Sequence, residues 1–149
     1  MSLSASPQVE AERRDAALTV LGILDTALPA ELGTDLAPER YTVAGVFSRR
    51  VSSAEQEAIE APELQEELAA AGFPGVTLAV SDRRLLIGNT NLAMLENGLA
   101  ARIGAMLRAT HERLAVEATR RADEAERWRV AEADRAAAVK AEADRVRFA

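Results

Sequence analysis

At 149 residues and net charge −6, the chain has the size of one domain with room for an appendage. It has no cysteine, so disulfide frameworks and thiolate metal sites are excluded; with one histidine, a metal site would have to be built from carboxylates. The acidic balance opposes generic nucleic-acid binding, because neutralising phosphates requires a positive surface.

The 48% hydrophobic content overstates the core, since 32 of those residues are alanine. Of the 40 larger apolar residues, 34 lie between Met1 and Leu114 and six follow. Each buried Val, Leu or Ile stabilises a fold by ~1.5–3 kcal/mol, and alanine by far less. The expectation is therefore a compact α+β domain over residues 1–114, with an N-terminal helix, and a charged, alanine-rich helical extension over 115–149. The N-terminus has no basic flank leading into an apolar run, and no window approaches the ~20 apolar residues of a membrane span. A soluble, cytoplasmic protein without membrane contact is expected.

Ser6-Pro7 reads as a helix start, an N-cap followed by a proline that needs no N–H partner. Ala17, Val20, Leu21, Leu24, Ala27 and Leu28 recur at helical spacing behind it. Turn residues fill "PAELGTDLAPER", and "YTVAGVFSRRV" (Tyr41 to Val51) reads as a strand with both faces apolar. In "SSAEQEAIEAPELQEELAAAG", Ser53 and Gln56 suggest a capping box, Pro62 splits the run into two short helices, and Gly72 suits a C-terminal cap. Ile59, Leu64 and Leu68 form the buried side of this pair.

Val76 to Val80 and Leu85 to Ile87 read as two strands joined by "SDRR". Thr90 or Asn91 caps a last helix whose core side carries Leu92, Leu95, Leu99, Ile103, Met106, Leu107 and Leu114, with a kink or restart at Asn97-Gly98. No proline or glycine follows Gly104, so helix is expected to run on to about Arg147, on the order of 70 Å from Leu99. Glu117/Arg121, Asp123/Arg127, Glu132/Arg135 and Glu142/Arg145 have ion-pair spacing, each pair adding ~0.2–0.5 kcal/mol to helix stability.

This order, α-β-α-α-β-β-α, predicts a small three-stranded mixed sheet covered by helices on one face. The first strand and the hairpin's first strand would pair in parallel through the helical crossover. The stretch from Tyr41 to about Arg108 resembles, in layout alone, the type I KH domain, an RNA-binding module. That family clamps nucleic acid with a GxxG loop between its two helices. Here the link is "EAPE", without glycine, and "GFPG" (Gly72 to Gly75) falls after the second helix. Nucleic acid is accordingly not expected as a partner.

No P-loop, dinucleotide fingerprint or nucleophile elbow is present, so no catalytic residue, cofactor or metal is assigned. His111 is read as a solvated or interfacial side chain beside Arg108 and Glu112. The glutamates of the two short helices are read as an exposed polar face. One charged constellation stands out: Arg49 and Arg50 at the first strand's exit, Arg83 and Arg84 at the hairpin turn, and Ser53 opening the next helix. Together they would make an anion site for phosphate, nucleotide or an acidic peptide. Seventeen of the 18 basic residues are arginine, a bias that GC-rich coding also produces.

The tail has a different signature. Trp128, Val130, Val139, Val146 and Phe148 have no local partners, and Leu114, Ala118, Ala122, Ala125, Ala133 and Ala136 form a narrow stripe near an eleven-residue period. The reading is a non-enzymatic interaction or assembly protein that forms a homo-oligomer, as an alanine-lined coiled coil, or docks into a larger complex through this helix. Its partner surface is Leu114, Ala118, Ala122, Ala125, Trp128, Val139, Val146 and Phe148. A solvated extension is the alternative for the helix, and an anion-, nucleotide- or nucleic-acid-binding module using the arginine edge is the alternative for the function.

Overall fold

The computed structural model describes residues 16–148, so the Ser6-Pro7 helix start lies outside the described residues. The first element of the described residues is a strand, β1 (Val20–Ile23), followed by one 3-10 turn at Asp25–Ala27. This corrects the expected helix through Ala17–Leu28. Spacings of three and four suit a helix, but Thr19, Val20 and Ile23 are β-branched and Gly22 weakens a helix interior. Pairing with the next strand decides the outcome.

Strands β2 (Tyr41–Phe47), β3 (Thr77–Ser81) and β4 (Arg84–Thr90) complete a four-stranded sheet in the order β1-β2-β4-β3. Every neighbouring pair is antiparallel. The expected three-stranded mixed sheet is thus corrected in strand number, in order and in direction. β3 runs the same way as β2, but β4 lies between them. Hydrophobic content explains the exchange: β4 buries Leu85, Ile87 and Thr90, whereas no residue of β3 is fully buried. The strand with more to bury takes the centre.

Helices α1 (Ser53–Glu60) and α2 (Pro62–Ala70) connect β2 to β3 and part at Ala61, ahead of Pro62. Gly72, at φ +99, ends α2 as expected, with Phe73 N–H donating to Leu68 O at 2.9 Å and Gly72 N–H to Ala69 O at 3.2 Å. The β3–β4 hairpin turns at Asp82, whose φ is +57. At the outer edge, Val80 N–H donates to Glu60 Oε2 at 3.0 Å, and Gln56 Nε2 donates to Glu60 Oε1 at 3.2 Å.

Asn91 caps the following helical turn, its Oδ1 accepting from Met94 N–H at 2.7 Å. A wide π-type turn spans Leu95–Leu99, where Asn97 and Gly98 leave helical geometry, before α3 runs from Ala100 to Asp144. The core collects Val43 and Phe47 of β2 with Leu85 and Ile87 of β4. By register these share one sheet face. Ile59, Leu64 and Leu68 cover that face together with Leu95, Leu99, Ile103, Met106 and Leu107. Leu92 stays exposed and Leu114 is half-buried.

Internal contacts divide the chain into two units, Met1–Glu112 and Arg113–Ala149. The first contains the sheet and its core. The second is helical to Asp144 and contains no fully buried residue up to Phe148.

Candidate functional site

The arginine edge forms, by a different route from the one expected. β2 ends beside the β3–β4 turn because β4 is its neighbour: Val46 is in register with Arg84, and Phe47 N–H donates to Arg83 O at 2.9 Å. Arg49, Arg50, Arg83 and Arg84 therefore do share one end of the sheet. Arg49, however, already has partners. Its Nη1 and Nη2 donate to Glu55 Oε1 and Oε2, both at 2.7 Å, and its Nε and Nη2 donate to Ala16 O at 2.9 and 2.7 Å.

Ser53 is not the cap of α1. Ser52 is: its Oγ accepts from Glu55 N–H at 3.2 Å, while Glu55 Oε1 accepts from Ser52 N–H at 3.0 Å. The S-x-x-Q of Ser53 and Gln56 and the S-x-x-E of Ser52 and Glu55 are one step apart, and sequence alone does not separate them. The choice follows from Arg49, which favours a carboxylate at the third helical position. Burial raises the Glu55 carboxyl; hydrogen bonds from Arg49 and from the Ser52 amide and hydroxyl outweigh it and hold the group below the usual carboxylate range. The Ser52 and Glu55 amides are thereby engaged within the capping box. Arg50 and Arg83 line an open cleft with Ala16, Thr19 and Ser48, Arg83 reaching Ser48 O at 3.5 Å, and Arg84 is exposed.

A second feature carried no mark in the sequence reading. An apolar groove of about 430 Å³ lies between β1, the sheet and the start of α3, lined by Leu18, Val20, Ile23, Ile87, Ile103 and Leu107 among others, with Arg108 in its lining. Gly22, Gly45 and Gly104 also line it; a Cβ would meet open space at Gly22 and only ordinary contact at Gly104. Those three glycines, falling outside turns, were the only trace available.

The third candidate is the helix beyond Arg113. Trp128, Val130, Val139, Val146 and Phe148 are all exposed, Trp128 at 68%. Leu114 is half-buried; Ala118, Ala122 and Ala125 are exposed. Val146 and Phe148 lie past the helix end at Asp144. Of the spaced ion pairs, Glu132–Arg135 forms. Glu117 instead meets Arg113 at 3.4 Å, so Arg121 has no ion-pair partner among the described residues. Arg129–Glu126 at 2.6 Å and Lys140–Asp144 at 3.4 Å complete the set here.

Among the described residues no group of three His, Cys, Asp or Glu side chains is placed to hold a metal ion, and no helix is long and apolar enough to cross a membrane. Comparison with protein-family models, curated proteins and solved structures yields no match to this chain.

Proposed function

We propose that this is a non-enzymatic interaction protein, whose α+β unit carries a helix that associates with another chain. The carrying observation is that no residue from Arg113 to Phe148 is fully buried, although the segment includes a tryptophan and four valines at 51% exposure or more. Burial of apolar area is worth about 25 cal/mol per Å², and a helix without tertiary packing draws little stability from propensity alone. A surface that covers the indole and the valines supplies what the segment lacks. The Arg49 clamp on Glu55 supports this reading over an anion site, since it removes one of the four guanidinium groups from the sheet edge.

Light scattering of the full chain against a chain ending at Leu114 tests the proposal. The full chain is expected to be oligomeric and the shortened one monomeric and folded. The same oligomeric state for the two would remove the helix from any role in self-association.

A further inference from the structure

On a helix of 3.6 residues per turn, spacings of three and four keep Leu114, Arg121, Ala125, Trp128, Glu132 and Val139 within one narrow stripe of α3. A stripe with an arginine and a glutamate inside it selects its own partner. In a parallel pair of identical helices, each residue of the seam faces itself. Arg121 would meet Arg121, Glu132 would meet Glu132, and two indoles would compete for one layer.

We propose, resting on the helix-mediated association above, that the partner is a second copy of this chain, running antiparallel in a register centred between Glu126 and Arg127. Every layer is then complementary. Leu114 packs on Val139 of the second copy, Arg121 meets Glu132, and the small Ala125 leaves room for Trp128. Two-fold symmetry makes each of these contacts twice. In the remaining layer, Ala118 accommodates the aliphatic stem of Arg135, which stays bridged to Glu132 on its own helix.

The ion pairs within one chain favour the same arrangement. Glu117 turns back to Arg113, leaving Arg121 without an ionic partner among the described residues. Glu132 is half-buried and accepts from Arg135 at both oxygens, so the second copy's Arg121 would share this carboxylate with Arg135. The stripe leaves out Ala122, which lies about 80° around the helix from Leu114.

The chain has no cysteine, so engineered thiols report unambiguously. Full-length Leu114→Cys and Val139→Cys chains, carrying tags of different size, are mixed and oxidised. The expected product is the mixed dimer, with little of either self-linked species. Self-linking at each position would overturn the antiparallel register while leaving helix-mediated association standing. A monomer by light scattering at every concentration would overturn both. Charge exchange gives an independent arm: Arg121→Glu or Glu132→Arg alone raises the dimer dissociation constant by roughly tenfold or more, through like charges in one layer. The double exchange restores the pair across the two-fold and recovers affinity. A double variant as weak as the singles, with helicity intact by circular dichroism, would sink the register.

Discussion

Glu55 shows how one carboxylate serves several purposes at the end of a strand. It closes the capping box with Ser52, and both its oxygens accept from Arg49, whose guanidinium also ties down the Ala16 carbonyl. The pair joins the chain before β1 to the segment after β2. Because the folded-state carboxyl titrates below its unfolded value, its contribution to stability is complete above the unfolded carboxylate pKa of about 4.3 and is lost as pH falls through the lower, folded value. Glu55→Gln is expected to cost roughly 3 kcal/mol in urea denaturation at pH 7, as for a buried ion pair left with one member. The same variant should flatten the acid limb of the stability profile. An unchanged acid limb would show that other carboxylates set it. Sequence reading found all four arginines of this edge and the right end of the sheet. It missed that Arg49 has an internal partner, because a partner six residues away on the next element shows in no local pattern.

Among the elements, β1 depends most on context. It has four residues, and its register with β2 shifts between Val20 and Gly22. It fits against β2 because Gly45 has no side chain: a Cβ at that position would stand 2.8 Å from Val20 Cγ1. Valine is stiff at χ1 and has no way to swing aside. Gly45→Ala is therefore expected to cost about 1–3 kcal/mol by overpacking. In a Val20→Ala background most of that cost should vanish, so a double-mutant cycle by chemical denaturation reads the contact directly. Elements announced by punctuation were legible: the split at Pro62, the Gly72 cap, the hairpin at Asp82, the Asn91 cap and the break at Asn97-Gly98. β1 was not, since its apolar spacing fits a helix equally well and only its long-range partner makes it a strand. The central place of β4 is hidden for a related reason: chain order puts β3 beside β2 through a parallel crossover, whereas in the fold β4 lies between them.

At the scale of the whole molecule, the two units draw stability from different sources. The first has a core of 14 buried apolar side chains; the second has none fully buried. Its helix is held by alanine propensity and side-chain ion pairs, which leave an isolated helix marginal in water. If the segment gains burial from a second chain, its order depends on concentration. Trp128 is the sole tryptophan, so its emission reports on this segment alone. On dilution, emission is expected to shift to the red while the 222 nm helical signal falls in step. Spectra independent of concentration across the micromolar range would contradict a weak reversible association. That the tail is helical, and that its large groups lack local cover, was legible from composition alone.

The carboxylate of Glu60 on the Val80 amide has a consequence for behaviour in crowded solution. A bare outer strand offers its free amides to any extended peptide, and the result is adhesion by ribbon growth and, eventually, fibrils. Here one of those amides is stoppered by an anionic side chain from the adjoining helix, which also repels an incoming acidic chain. The β3 border is thereby a poor template for cross-strand precipitation, even at high concentration.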